Sequence, residues 1–156
     1  MDSFHSGPSI KLYGKLRNWF NFDKDHVLQV YSGKIDIGQH ISSTLALISS
    51  KITGIDYDQV EIIKLDTDIS PNEGKTASSL SVPDSGSAIK AASFSLRKAF
   101  IKYALKTLDV NFDDMVFDNG SIKDIKSNRC ISYVDFGKYN EFNEVETSEK
   151  FDENEL

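Results

Sequence analysis

Two loops of this chain combine small and polar residues with positions at the start of predicted helices. The first loop reads GKIDIGQH (residues 33–40) and the second DTDISPNEGKTASSLS (residues 66–81), and each follows a predicted strand. The first turn of a helix presents unpaired backbone N–H groups and the positive end of the peptide dipoles, which together attract phosphate or another anion. Two such loops in one small chain predict a large phosphorylated ligand.

The charge of the chain is unevenly placed. The 156 residues carry a formal net charge of −6, and residues 140–156 hold seven acids against one base, Lys150. The remainder is therefore neutral, and no cluster of Lys and Arg outnumbers the acids beside it. Because a nucleic-acid backbone requires a basic face, this balance excludes nucleic acid as a partner. The predicted anion sites must then act through backbone N–H groups.

Metal ligands and targeting signals are sparse. A single cysteine, Cys130, excludes an internal disulfide and a cysteine-only metal site, and it is predicted to be a small buried residue of a strand. The three histidines have no metal-ligand spacing: His5, His26 and His40. No stretch resembles a membrane span or a signal peptide. The compartment is left open, with the cytoplasm preferred and the periplasm accessible through a partner.

Hydrophobic patterning predicts the elements that position the loops. Strands are predicted within residues 16–22 and 27–31, followed by a helix whose apolar residues recur with the helical period and which ends at Gly54. A strand at 60–65 completes a right-handed parallel crossover. A second helix is predicted from an N-cap at Asp84 to Leu108. The pair Asn119-Gly120 predicts a hairpin, and a last strand is predicted at 129–133.

The sum is a single α+β domain with two helices packed on a small mixed sheet, in the order β-β-α-β-α-β-β-β. Residues 1–11 are predicted to be a loose lead-in, residues 12–139 the domain, and residues 140–156 an acidic, disordered tail.

The composition of the two loops leaves alternatives open. Gly38 allows the backbone to turn closely, and the Gln39 amide can both donate to and accept from a ligand. The alternative is a plain helix entry with a solvated Gln39. In the second loop, Pro71 and Gly74 predict a turn, and Asp66 is predicted to bond to loop backbone. The hydroxyls that follow could face a ligand or only water.

In order and spacing, these segments resemble a known family. The strings GKIDIGQHISSTLALISSKI and VEIIKLDTDISPNEGKTASSLSVPDSGSAIKAA resemble the molybdopterin-binding large subunit of the xanthine oxidase family of molybdenum hydroxylases, nearest to its nicotinate dehydrogenase and isoquinoline oxidoreductase type. The family pattern is G-K-hydrophobic-E-hydrophobic-G-Q-G, then D-T-x-x-x-P-N-E-G, T-x-G-S-x-S and x-x-S-G-x-A. The resemblance extends over roughly residues 12–136.

The resemblance implies a binding site. By that likeness Gly38 and Gln39 would face the molybdenum end of the cofactor, with Gln39 near the metal's oxo group. The residues that would contact its pterin or phosphate portion are Thr76, Ala77, Ser78 and Ser79. Glu73 would shape the second loop. The resemblance assigns this chain no metal ligand and no catalytic residue, because the family's catalytic glutamate lies near the far C-terminus of a much longer subunit.

The resemblance also implies a reaction and partners. Family enzymes hydroxylate an aldehyde or an N-heterocycle with oxygen drawn from water, and electrons leave through 2Fe-2S clusters on a separate chain or domain. The cofactor would be molybdopterin, as such or as its cytosine dinucleotide, held only when this chain is assembled with the remaining molybdopterin-binding domains or subunit.

Three departures from the pattern stand out. His40 replaces the last glycine of G-Q-G, Ser78 replaces the glycine of T-x-G-S, and Asp36 replaces the glutamate. Three interpretations follow: an incomplete cofactor-binding part of a molybdenum hydroxylase that is inactive alone, a binding or assembly module that kept the fold and lost the cofactor, and a plain α+β interaction domain. We adopt the first for ancestry and keep the second beside it for activity.

Overall fold

The structure, a computed structural model, describes residues 9–23, 25, 27–77 and 79–148. Its helices are α1 (Ser9–Leu12), α2 (Ile41–Thr53), α3 (Ser87–Leu108) and α4 (Tyr133–Gly137). Its strands are β1 (Phe20–Phe22), β2 (Leu28–Val30), β3 (Val60–Ile62), β4 (Met115–Asp118), β5 (Ser121–Asp124) and β6 (Cys130–Ser132). The α+β class is confirmed, as is the predicted order of the strands and the two long helices.

The strands form two three-stranded sheets, ordered β1-β2-β3 and β4-β5-β6. In the first sheet β1 and β2 are antiparallel, whereas β2 and β3 are parallel with Leu28 opposite Val60. Helix α2 connects these two parallel strands, which confirms the predicted crossover. In the second sheet the β4–β5 turn has positive φ at both Asn119 (36°) and Gly120 (68°), as an Asn-Gly hairpin of type I′ requires.

The long helix α3 provides the centre of the core. Its predicted apolar stripe is confirmed, since Ile89, Leu96 and Phe100 are fully buried. Phe100 stacks on Tyr133 with ring centroids 3.9 Å apart, so α3 is joined to the end of the second sheet. The Tyr133 hydroxyl donates to the Thr53 carbonyl oxygen at 3.1 Å, and burial raises the pKa of this tyrosine. One aromatic contact thus connects both long helices.

The two ends predicted for the long helices have different outcomes. Gly54 ends α2 with φ 74°, and its N–H donates to the Ser50 carbonyl, as predicted. The predicted N-cap Asp84 is wrong, because a π-helical turn over Val82–Gly86 runs directly into α3 and has Ser81 as its N-cap. Proline is favoured in the first helical turn because it needs no N–H acceptor there, so the helix begins around Pro83 and encloses Asp84.

The prediction that Cys130 is buried is also wrong. Cys130 is exposed, whereas its neighbour Ile131 is only 7% exposed. Successive side chains of a strand point to opposite faces, and Ile131 takes the inward position on β6. The predicted strand then stops at Ser132, whose hydroxyl accepts from the Asp135 N–H and caps α4.

Residues just outside the predicted domain boundaries contribute to the core. Ile10 of α1 is 1% exposed and Phe142 is 3% exposed, and Lys15 forms an isolated β-bridge with Glu146. The boundaries at residues 12 and 139 themselves stay predictions. Residues 1–8 and 149–156, which include parts of the predicted lead-in and tail, lie outside the described residues. Within the described part of the chain, no helix has the length and apolar character needed to cross a bilayer.

Candidate functional site

The two loops lie side by side because they follow parallel strands. The first loop leaves β2 and the second leaves β3, and the carboxyl ends of parallel neighbours lie at the same edge of a sheet. Between the loops is an open depression of about 680 Å³, and an adjoining one of about 370 Å³ extends toward the start of α3. Ile37, Thr76 and Ala77 line both.

A pair of charged side chains holds the loops together. The Lys34 ammonium donates to the carbonyl oxygens of Glu73 at 2.8 Å and Lys75 at 3.0 Å. The Glu73 carboxylate in turn accepts from the Ser32 hydroxyl and the Gly33 N–H, both at 2.8 Å. A hydrogen bond to a charged group is stronger than one between neutral groups, so each loop is held firmly by a side chain from the other.

Gly33 is the point of closest approach between the loops. A Cβ added there would lie 2.1 Å from the Pro71 carbonyl oxygen and 2.8 Å from the Glu73 nitrogen. Both are backbone atoms, which cannot move aside as a flexible side chain would. Close backbone approach therefore explains the glycine that begins the first loop.

The start of α2 is occupied by a carboxylate of the chain itself. Asp36 accepts from the N–H groups of Gly38 at 2.9 Å, His40 at 3.3 Å and Ser42 at 3.1 Å. The Gly38 and Ser42 N–H groups hold the pKa of this carboxyl below its ordinary value. The anion expected at this helix start is thus supplied by Asp36.

The Gln39 amide is bonded within its own loop. Its oxygen accepts from the Ile37 N–H at 2.7 Å, and its nitrogen donates to the Ile35 carbonyl oxygen at 2.8 Å. Gln39 lines the smaller depression, but Gly38 lines neither of the two. His40, at the position of the family's last glycine, has a left-handed φ of 61°. A non-glycine residue there bears backbone strain.

The predicted residues of the second loop lie along the depressions. Thr76 and Ala77 line both, and Ser79 lines the smaller one together with Ser81. The Thr76 hydroxyl oxygen accepts from the Ile35 N–H at 2.9 Å, which leaves its own hydrogen free to be donated. Ser78 lies outside the described residues.

The turn that begins the second loop is held by side-chain caps. The Asp66 carboxylate accepts from the Asp68 N–H at 2.9 Å, which confirms the predicted bond to loop backbone. The Asn72 amide oxygen accepts from the Gly74 N–H at 3.1 Å. Across the described residues no group of three or more His, Cys, Asp or Glu is arranged to hold a metal ion.

Sequence reasoning missed Lys34 and Asp36 as site-building residues. Lys34 is 6% exposed although lysine is rarely buried, and its acceptors are carbonyls about 40 residues away. No local pattern signals such partners. For Asp36 a signal existed, since an aspartate shortly before a helix often caps it.

The site is surrounded by large aliphatic side chains that face solvent. Six of them lie on the two loops, in the segment leading into the second loop, or in the first turn before α3, and their exposed fractions run from 42% to 80%. We term this set the aliphatic surface: Ile35, Ile37, Leu65, Ile69, Leu80 and Val82. An exposed apolar area around a depression is typical of a surface that another polypeptide or ligand covers.

The fold is similar to that of solved molybdenum enzymes. A reconstituted CO dehydrogenase from Oligotropha carboxidovorans matches with a TM-score of 0.63 at 21% identity, covering 79% of this chain and 16% of that one. Quinoline 2-oxidoreductase from Pseudomonas putida 86 matches with a TM-score of 0.56 at 18% identity, covering 82% and 18%.

Sequence comparison leads to the same group of proteins. One of the polypeptides of nicotinate dehydrogenase from Pseudomonas putida is 24% identical over 98 residues, which cover 63% of this chain and 8% of that protein. The chain thus spans less than a fifth of each of these three relatives. Residues 6–155 match the family described as the molybdopterin cofactor-binding domain. That match covers nearly the whole sequence, and the chain therefore belongs to the molybdopterin cofactor-binding domain family of the molybdenum hydroxylases.

Proposed function

We propose that this chain forms one wall of the molybdopterin site of a molybdenum hydroxylase that acts on an aldehyde or an N-heterocycle. The observation that carries the proposal is the joined pair of loops at the ends of β2 and β3, with Thr76 and Ala77 facing both depressions between them. The family membership supplies the cofactor class.

The residues present fit such a cofactor along the second loop. Depressions of about 680 and 370 Å³ are within the size range of small-molecule sites. The Thr76 hydroxyl keeps a hydrogen to donate, and Ala77 leaves room for close approach to the backbone. We assign Thr76, Ala77, Ser78 and Ser79 to the pterin or phosphate portion. When bound, the cofactor supplies the molybdenum that takes up electrons from the substrate.

On the first loop, Gly38 and Gln39 are proposed to face the molybdenum end. The Gln39 amide can serve there only after giving up its bonds to the Ile35 carbonyl and the Ile37 N–H. Since both are exposed, water or a ligand can replace them at little cost.

We propose no catalytic role for Glu73. Its carboxylate accepts from the Gly33 N–H and from two serine hydroxyls, those of Ser32 and Ser9. A carboxylate with three donors is held in its ionised form and is a weak base. The isolated chain is expected to give no turnover of aldehydes or N-heterocycles, and measurable turnover by the pure chain would overturn this view.

The proposed partners are the remaining molybdopterin-binding polypeptide and a 2Fe-2S subunit. The short span of the chain relative to its relatives and the aliphatic surface around the site support the first partner. Whether the cofactor is molybdopterin itself or its cytosine dinucleotide is a question for the same experiment.

Metal and pterin analysis tests the cofactor proposal. The chain, co-purified with the remaining polypeptide, should carry molybdenum by mass spectrometry and a pterin by fluorescence after oxidation. Ala77→Asp places a negative charge against the phosphate portion and should lower both contents. Ser43→Asp is the matched control, because Ser43 is exposed on α2 and lines neither depression. A complete complex without molybdenum or pterin would contradict the proposal.

A second candidate function is a non-catalytic binding or assembly module that kept the fold and lost the cofactor. The strained backbone of His40 and the self-bonded amide of Gln39 favour it. If the imidazole crowds the site, His40→Gly should raise the pterin content of the purified complex. An unchanged content would remove crowding as the cause.

A further inference from the structure

We infer that Lys34 and Glu73 are positioning residues that set the separation and register of the two loops. The inference rests on the proposed function, because it concerns the same site. It adds a role that neither residue has from the loop motifs alone: each side chain reads the backbone of the opposite loop.

Lys34 acts from the first loop. Its side chain is almost fully buried, and its ammonium donates to the Glu73 and Lys75 carbonyl oxygens. Burying an ammonium is costly unless hydrogen bonds replace its water, so these carbonyls cannot leave without a large penalty. They flank Gly74 and stand directly before Thr76, which lines both depressions. The ammonium therefore determines where the lining begins.

Glu73 acts from the second loop in the opposite direction. One carboxylate oxygen accepts from the Ser32 hydroxyl and the Gly33 N–H, and the other accepts from the Ser9 hydroxyl at 3.3 Å. The Gly33 bond lies at the closest backbone contact between the loops. Because of this contact, a shift of either loop along the other would break a charge-assisted hydrogen bond.

A third bond carries this alignment to the lining itself. The Ile35 N–H donates to the Thr76 hydroxyl oxygen at 2.9 Å, one residue beyond Lys34. This bond exists only while the loops keep their register. The Ile35 amide is therefore a local reporter of the positioning that Lys34 and Glu73 provide.

Amide hydrogen exchange on the full chain tests the inference. Lys34→Met keeps the length and apolar stem of the side chain but removes the ammonium. The Ile35 amide should then exchange faster by about tenfold or more, the effect of losing a hydrogen bond to a charged group. Lys34→Arg should restore part of the protection, because a guanidinium can also donate to two carbonyls. Glu73→Gln should have the same effect on the Gly33 amide.

Exposed residues of the same types beside the site provide the controls. Lys64→Met and Glu61→Gln should leave the Gly33 and Ile35 amides unchanged. The Ile122 amide in the second sheet reports on global unfolding. If Lys34→Met raises exchange there as well, Thr76→Val replaces it as the variant that must deprotect Ile35 alone. Unchanged exchange at Ile35 in Lys34→Met, or at Gly33 in Glu73→Gln, would overturn the inference.

Pterin content separates this inference from the proposed function. In the complex with the remaining polypeptide, Lys34→Met should lose pterin, Lys34→Arg should regain part of it, and Lys64→Met should match the natural sequence. A natural complex without pterin would contradict the proposed function while leaving the exchange result valid. A Lys34→Met complex with faster Ile35 exchange and full pterin would contradict the positioning role alone.

Discussion

Gly33 and its neighbours make the site at the scale of single residues. Three consecutive residues have separate tasks: the Ser32 hydroxyl and the Gly33 N–H bind the Glu73 carboxylate, and the Lys34 ammonium binds carbonyls of the second loop. Because all three act on one turn of the second loop, a small change in any of them changes the distance between the loops.

We predict that Gly33→Ala is strongly destabilising. The new Cβ would lie 2.1 Å from the Pro71 carbonyl oxygen, so the loops must separate. Strain from overpacking together with the weakened bonds to Glu73 should lower the free energy of unfolding by about 3 kcal/mol or more. Urea denaturation measures this loss. Gly14→Ala is the control, since its Cβ would come no nearer than 3.9 Å to the Ile10 oxygen, and equal stability of the two variants would contradict the prediction.

At the scale of elements, the start of α2 depends on Asp36. Three backbone N–H groups donate to its carboxylate, and the pKa of the folded state is lowered as a result. The unfolded aspartate has a pKa of about 3.9. The stabilisation is therefore complete above that pH, and it is lost as the pH falls through the lower pKa of the folded state.

We predict that Asp36→Asn lowers stability at neutral pH. The amide keeps one acceptor oxygen but loses the charge and the second acceptor. The difference in free energy of unfolding between the natural chain and this variant should shrink as the pH falls from 5 to below about 3, where the aspartate is protonated. Urea denaturation across this range measures it. Asp58→Asn, at an exposed position in the 3₁₀ turn before β3, is the control. A difference that stays constant with pH would contradict the role of the charge.

The elements themselves were largely predictable, and the exceptions have physical reasons. The helical period of α2 and α3 and the Asn119-Gly120 turn are local signals, and the structure confirms them. The start of α3 was misplaced because Asp84 and Pro83 both mark helix starts, and proline prevailed. At the site, the loops were found by composition. The role of Lys34 was not found, because its acceptors are backbone atoms that any sequence would provide.

At the scale of the whole molecule, segments near both ends of the chain pack on the body. Phe142 is 3% exposed and lies 5.6 Å from Phe136 and 6.0 Å from Phe22, measured between ring centroids. We predict that Phe142→Ala lowers the free energy of unfolding by about 3–5 kcal/mol, the usual loss for a buried phenylalanine. Phe112→Ala is the control, because Phe112 is 59% exposed. Equal urea midpoints for the two variants would contradict a structural role for this segment.

The aliphatic surface is the feature of the whole molecule that the described residues leave without a cover. Ile37 is its most exposed member, at 80%, and it lines both depressions. An isoleucine that becomes buried against a partner contributes about 1.5–3 kcal/mol, whereas one that stays in water contributes almost nothing to folding. The two roles therefore separate in experiments on the free chain and on the complex.

We predict that Ile37→Ser leaves the unfolding free energy of the free chain within about 0.5 kcal/mol of the natural value. In the same variant, binding to the remaining molybdopterin-binding polypeptide should weaken by about ten- to a hundredfold, because that loss corresponds to about 1.4–2.8 kcal/mol. Calorimetric titration of one polypeptide with the other measures the change. Ile125→Ser, in the turn after β5, is the matched control, because Ile125 is 60% exposed and is remote in the fold from both loops. If both variants bind as the natural chain does, the aliphatic surface faces solvent in the complex, and the partner must dock elsewhere.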